Sequence, residues 1–227
     1  NLITTGTNNT IIGGLSGDAI TTGSNNTTLG YVALGNTTTG ASNVAVGYAA
    51  GLANTTASNN VSVGTQAAQT GTTGASNVAI GKEALYSNVT ISNNTAVGFQ
   101  ALQAATNGPN TAVGSTALTD VTTGYDNTAV GRAAGAKVTT GIRNAAFGDL
   151  SLDANTTGSY NTALGAYSLG ANTTADNNTA VGYSALLANT TGASNVAVGS
   201  SVMTGNTTGQ RNVAVGYLAF DAANTGS

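Results

Sequence analysis

Side chains that could do acid-base, nucleophilic or metal chemistry are few in this chain of 227 residues, and they are scattered. Glycoside hydrolysis needs two carboxylates about 5 to 9.5 Å apart across a cleft, and a calcium site needs several acids in one loop. The chain has no His and no Cys. We therefore expect no enzyme, no cofactor and no metal site. The acids are Glu83, Asp18, Asp120, Asp126, Asp149, Asp153, Asp176 and Asp221.

The composition excludes further classes of function. Only 6% of the residues are charged, against about 25% in an ordinary domain. Five Lys or Arg against eight Asp or Glu give a net charge of -3, so we expect no nucleic-acid partner. The chain has no apolar run near the length of a membrane span, which predicts no membrane insertion within this segment. Because the chain starts at Asn1 without Met, we expect it to be part of something longer.

A repeat organises these residues. A glycine preceded mostly by a β-branched residue recurs thirteen times at 17-residue spacing, with one 16-residue step between Gly98 and Gly114. We call these the repeat glycines: Gly13, Gly30, Gly47, Gly64, Gly81, Gly98, Gly114, Gly131, Gly148, Gly165, Gly182, Gly199 and Gly216. An Asn always lies four residues earlier: Asn9, Asn26, Asn43, Asn60, Asn77, Asn94, Asn110, Asn127, Asn144, Asn161, Asn178, Asn195 and Asn212.

Each repeat predicts one coil of an all-β parallel β-solenoid, and residues 1–227 are expected to form a single repeat-array domain. Alternation in Asn195-Val196-Ala197-Val198 predicts a strand with Val on one face and Ala on the other. A small and an apolar residue follow the repeat glycine, as in Ala185-Leu186. We expect two strands of about four residues with a Gly bend between them and an Asn-Thr-Thr-Gly turn closing the coil.

The Asn column is expected to be a structural ladder. An amide carries both a donor and an acceptor, so Asn side chains in register can hydrogen-bond from coil to coil or cap adjacent backbone groups. We expect this column to be buried or half buried. A role of the same Asn and Gly residues in contacting a ligand is the alternative.

The strand face opposite Val is nearly always Ala, as in Ala79 and Ala129. A solvated face would accept Lys, Glu and Thr, so this restriction predicts close packing on both faces, one inside the coil and one against neighbouring chains of a parallel homotrimer. The alternative is that Ala fills a tight space of its own chain.

The signature Asn77-Val78-Ala79-Ile80-Gly81 resembles the head repeats of YadA-like trimeric autotransporter adhesins, and with its longer Asn-Thr-Thr-Gly loop it also resembles repeat arrays of bacteriophage tail fibres. The resemblance covers nearly the whole chain. It implies a left-handed β-roll, a homotrimer or filament, and an extracellular place on a cell surface or virion. The adhesin repeat is shorter, near 14 residues, so the resemblance does not fix the path of the loop.

The expected function is therefore a structural fibre or adhesive shaft that mediates attachment or presents a binding tip. The partners would be further copies of the chain and a cell-surface glycan or protein receptor. Aromatic residues after several repeat glycines are candidate surface contacts: Tyr31, Tyr48, Phe99, Tyr183 and Tyr217. Strand-forming surface filler is the alternative for them.

An ice-binding protein is the second functional hypothesis, because Thr-Thr pairs such as Thr38-Thr39 and Thr190-Thr191 recur through the chain. Adjacent Thr residues in an extended segment point to opposite sides, whereas a flat ice-matching face on strands favours Thr-x-Thr.

The irregular repeat carries the only Pro, Pro109. We expect its one-residue deletion to be absorbed within the turn, because Asn110 and Gly114 keep their usual spacing. The strands 95–97 and 111–113 should then stay in register and the shaft should run straight, with no hinge or domain boundary.

Overall fold

The structure, a computed structural model, describes residues 3–221 and is an all-β parallel β-solenoid with one coil per 17-residue repeat. The predicted fold class is confirmed, and residues 3–221 contain no helix. Each coil contributes one three-residue strand. The thirteen strands are Thr10–Ile12 (β1), Thr27–Leu29 (β2), Val44–Val46 (β3), Val61–Val63 (β4), Val78–Ile80 (β5), Thr95–Val97 (β6), Thr111–Val113 (β7), Thr128–Val130 (β8), Ala145–Phe147 (β9), Thr162–Leu164 (β10), Thr179–Val181 (β11), Val196–Val198 (β12) and Val213–Val215 (β13).

The chain divides into two compact units, residues 1–110 and 111–227. In the first unit β1 to β6 follow one another as parallel neighbours. In the second unit β7 to β13 do the same. Each strand pairs with the equivalent residues of the next coil, as in Val44 with Val61. The organisation of residues 1–227 as a single domain stays a prediction.

The middle residue of each strand faces the interior of its own coil. Ala45, Ala79 and Ala180 are fully buried, whereas the first and third residues of β3, Val44 and Val46, are only half buried. The tight interior of each coil accounts for the restriction to Ala, and packing against neighbouring chains stays a prediction. Val and its equivalents form the outer face, so the Ala column does not argue for a trimer.

The repeat glycines are required by close stacking of the coils. Gly131 has a φ of 138°, a conformation that an L side chain adopts only with strain. A Cβ added there would lie 2.4 Å from the carbonyl oxygen of Gly148 in the next coil. The glycine therefore allows both the bend after the strand and the approach of the neighbouring backbone.

The second predicted strand does not form. After Gly30 the chain makes a run of turns in which Val32 and Leu34 have φ values of 51° and 48°. Alternate amides still reach the two neighbouring coils, since Val32 N–H donates to Gly14 O at 3.0 Å and Leu34 N–H donates to Ala50 O at 3.0 Å. Left-handed backbone is costly for Leu, and the complete burial of equivalents such as Leu102 offsets that cost.

Within the first unit the Asn column stays in register as far as Asn110, which follows the shortened turn. Asn110 N–H donates to Asn94 Oδ1 at 2.9 Å, and Thr95 N–H donates to Asn110 O at 3.0 Å. Pro109 is exposed in the turn, next to Gly108 with a φ of 56°. The straight path of the shaft through this point stays a prediction.

Candidate functional site

The predicted Asn ladder runs through the interior of the coils, and Asn161 shows its geometry. Its backbone N–H and its Nδ2 both donate to Asn144 Oδ1, at 3.0 and 3.2 Å. Its Nδ2 also donates to Ala175 O at 2.8 Å, and its Oδ1 accepts the backbone N–H of Asn178 at 3.0 Å. One buried amide thus connects three successive coils.

The same arrangement recurs along the predicted residues, which we call the first amide column. Asn9, Asn60 and Asn212 are half buried and the others are buried. Within each unit the side-chain Oδ1 accepts the backbone N–H of the next Asn of the column, as from Asn43 to Asn26, from Asn94 to Asn77 and from Asn195 to Asn178. The column consists of Asn43, Asn60, Asn77, Asn94, Asn110, Asn127, Asn144, Asn161, Asn178, Asn195 and Asn212, preceded by Asn9 and Asn26.

A second amide column, which the sequence analysis missed, lies eleven residues after the first. Its residues are Asn54, Asn88, Asn155, Asn172, Asn189 and Asn206, and all are buried. Asn172 Nδ2 donates to Asn155 Oδ1 at 2.9 Å, and Asn189 Nδ2 donates to Asn172 Oδ1 at 3.0 Å. All of these residues except Asn88 begin Asn-Thr-Thr segments, whose composition is typical of a turn, so only their 17-residue recurrence could have indicated burial.

The two columns converge on the same backbone carbonyl. Ala175 O accepts Nδ2 of Asn161 at 2.8 Å and Nδ2 of Asn172 at 3.1 Å. Gly192 O accepts Asn178 and Asn189 in the same way, each at 2.9 Å. Each such carbonyl is held once from the preceding coil and once from its own turn.

Elsewhere the second column contains other residues. Ile20, Thr37, Ala105, Val121 and Val138 lie there and are fully buried. Gly71 also occupies this column, between Asn54 and Asn88 in the first unit.

The first Thr of each pair also bonds between coils. Thr38 Oγ1 donates to Thr55 O at 3.2 Å, and Thr190 Oγ1 donates to Thr207 O at 3.0 Å. The second Thr, as in Thr39 and Thr191, is exposed. The first hydroxyl row is therefore engaged with backbone, and one exposed row remains.

The predicted aromatic contacts are exposed, and two of them meet. The rings of Tyr31 and Tyr48 stack with centroids 6.1 Å apart and an interplanar angle of 10°. Phe99 lies beneath the ammonium group of Lys82, with Nζ 5.9 Å from the ring centroid. Tyr183 and Tyr217 stand two coils apart with Ser200 between them in the repeat, so these five side chains do not make one continuous aromatic row.

The outward face of the strands carries apolar side chains. The third residue of every strand is Val, Ile, Leu or Phe, and none of these residues is buried. At the exposed extreme are Val213 at 75% and Val215 at 68%. The first residue of each strand is Thr, Val or Ala, so the outward positions of the thirteen described strands bear no charge.

The charged side chains form pairs on the surface. Lys137 Nζ lies 2.8 Å from Asp120 Oδ2, and Arg132 lies 2.8 Å from Asp149. The hydrogen bond from Lys137 to Asp120 raises the pKa of the lysine, and the hydrogen bond from Gln100 lowers the pKa of Glu83. Among residues 3–221 no three acids converge in a group that could hold a metal ion.

Two amide columns inside a parallel β-solenoid thus define the structural class of the chain. Comparison with protein-family models, with curated proteins and with solved structures finds no significant match. No helix in the described part of the chain is long and apolar enough to cross a membrane.

Proposed function

We propose that this chain is a structural fibre or adhesive shaft of an extracellular surface, on a cell or a virion. The observation that carries the proposal is that residues recurring in the repeats make the contacts between adjacent coils. The Asn amides, the first Thr hydroxyls and the repeat glycines all serve the backbone of adjacent coils. These polar side chains connect adjacent coils, which stiffens the stack along its length.

Self-association as a parallel homotrimer is part of this proposal. Its support is the outward strand face, where an uncharged row of aliphatic and aromatic side chains is exposed or half buried. A contiguous exposed apolar surface is typical of a protein interface, and copies of the same chain in parallel register would match this repeating row. The occupant we propose is therefore two further copies of this chain.

Measurement of the mass in solution tests the assembly. The native chain should sediment at three times 21.9 kDa, and Val181→Lys, on the outward face of β11, should reduce that mass. Thr191→Lys, on the exposed turn, is the matched control and should leave the trimer intact. A monomer at micromolar concentration contradicts the homotrimer.

Attachment is tested separately, by binding of the labelled native chain to cells and to immobilised glycans. Tyr31→Ala together with Tyr48→Ala should weaken adhesion if the stacked pair contributes contacts. Unchanged adhesion removes these tyrosines from the proposal, and absence of adhesion to every surface restricts the chain to a shaft.

Ice binding remains the competing hypothesis, and the hydrogen bonds of the Thr hydroxyls favour the fibre. The first Thr of such pairs donates its proton to a carbonyl of the next coil, as in Thr38 and Thr190, so within the pair only the second Thr remains exposed. Thermal hysteresis of the purified chain discriminates the two, because a fibre should produce none.

A further inference from the structure

A small cavity in the first unit lies where the second amide column is interrupted. Its volume is about 20 Å³, and its lining includes Gly71 together with Asn54 and Asn88 of the second column and Asn60 and Asn77 of the first. Ser62, which is buried, completes the polar part of the wall. The cavity therefore belongs to one level of the stack, that of Gly71.

The size of the cavity admits water. A buried water needs about 10 to 15 Å³ of space for its centre, and it persists where two to four polar groups can bond to it. Amide and hydroxyl groups supply both donors and acceptors here. An apolar void of this size would stay dry, but this wall contains five amide side chains and a serine.

Coils of the second unit show what an Asn side chain does at this position. At the level of Asn172, the amide donates to Asn155 below and accepts from Asn189 above. Gly71 has no side-chain amide to place between Asn54 and Asn88. Those two side chains keep their bonds within their own turns, to Ala57 and to Ile91 respectively, and they border the cavity with their remaining hydrogen-bonding capacity.

We infer that this cavity is a binding site for ordered water, which takes the place of an Asn side chain in the second amide column. Water fits because it donates and accepts, as an amide does, and because it needs no conformational change of the coil. The inference goes beyond the proposed fibre function and does not depend on it.

The site is tested first on the native chain. A crystal structure at a resolution that reveals ordered solvent should show water in the cavity within hydrogen-bonding distance of at least two lining side chains. Magnetisation transfer by NMR should connect long-lived water with the side-chain amides of Asn54 or Asn88. The amide of Asn172, between two other Asn residues, is the internal control and should show no such transfer. A dry cavity in the crystal, or transfer no stronger than at Asn172, overturns the inference.

Two substitutions at Gly71 distinguish a wet site from an apolar one. Gly71 has no positive φ, and an added Cβ would lie 3.1 Å from Asn88 O, so a substitution requires that backbone to move by a few tenths of an ångström. Gly71→Asn should displace the water, abolish the transfer and raise the unfolding midpoint. Gly71→Val is matched to it, because Val occupies the same column at positions 121 and 138. Val would displace the water without replacing its hydrogen bonds, so its midpoint should lie below that of Gly71→Asn. A midpoint for Val equal to or above that of Asn overturns the inference.

Discussion

The two amide columns are built from the same residue type and are both buried, yet one is invariant and the other is not. The first column is Asn in all thirteen repeats, whereas the second contains Asn, Thr, Gly, Ala, Val and Ile. The difference lies in which backbone groups each column serves. Oδ1 of a first-column Asn accepts a backbone N–H of the next coil, as Asn161 does for Asn178. An unpaired buried N–H costs free energy, so this position admits no apolar residue.

In the second unit an Asn of the second column donates to a carbonyl that already has another donor. In the first unit Asn54 and Asn88 also accept the backbone N–H of Ala57 and of Ile91. Ala175 O keeps its bond from Asn161 when Asn172 is replaced. A side chain such as Val138 can therefore stand in the second column without leaving a backbone group unpaired there. Tolerance at one column thus depends on the invariance of the other.

The largest expected effect comes from removing both donors to one carbonyl. Asn161→Leu combined with Asn172→Val leaves Ala175 O without its two side-chain partners. We expect the free energy of unfolding to fall by about 3 to 5 kcal/mol, and by about 1 kcal/mol more than the sum of the single changes. Urea denaturation of the parent, both single variants and the double variant measures this coupling. Simple additivity would contradict the shared role of the two amides.

A first-column change alone should be the next largest. Asn127 Nδ2 donates to Gly141 O at 2.9 Å, and its Oδ1 accepts the backbone N–H and the Nδ2 of Asn144 at 3.0 and 3.1 Å. Asn127→Leu should lower the free energy of unfolding by about 1 to 3 kcal/mol, because these partners remain buried. Thr140→Ala, on the exposed turn, is the control and should have almost no effect. An unchanged melting temperature for Asn127→Leu would remove the argument.

How far the sequence predicts this interior follows from the same contrast. The invariance of the first column made its place in a ladder predictable, and alternation in segments such as Val196-Ala197-Val198 gave the strand. The second column could not be found so readily, because Asn172 and Val138 occupy equivalent places and look unrelated. The left-handed backbone of Leu34 was also not predictable, because a small residue followed by an apolar one is equally compatible with a strand. Only stacking against other coils compensates the strain of this backbone.

A second-column change alone should be smaller than either of the above. Asn172→Val removes the donors to Asn155 Oδ1 and to Ala175 O, but Ala175 O retains Asn161, and Val recovers apolar burial. We expect a loss of about 1 kcal/mol or less. The comparison with Asn127→Leu uses the same denaturation assay. If Asn172→Val costs as much as Asn127→Leu, redundancy does not explain the variability of the second column.

The smallest effect concerns a carboxyl group beside the second column. Asp153 lies two residues before Asn155, and burial, followed by the nearby charge of Asp149, raises its pKa above the ordinary value of 3.8. Because the folded state then binds this proton more tightly than the unfolded state, the free energy of unfolding should rise as the pH falls from above the raised pKa towards 3.8. Asp153→Asn keeps the shape of the side chain and removes the titration, so the stability difference between this variant and the parent should shrink as the pH falls through that window.

The amides of both columns do not titrate, and variants within them, such as Asn172→Val, should show a difference from the parent that is constant over the same window. Melting temperatures of the three proteins measured between neutral and acid pH test the distinction, and a constant difference for Asp153→Asn would mean that partial exposure leaves this carboxyl without influence on the stability of the folded coil.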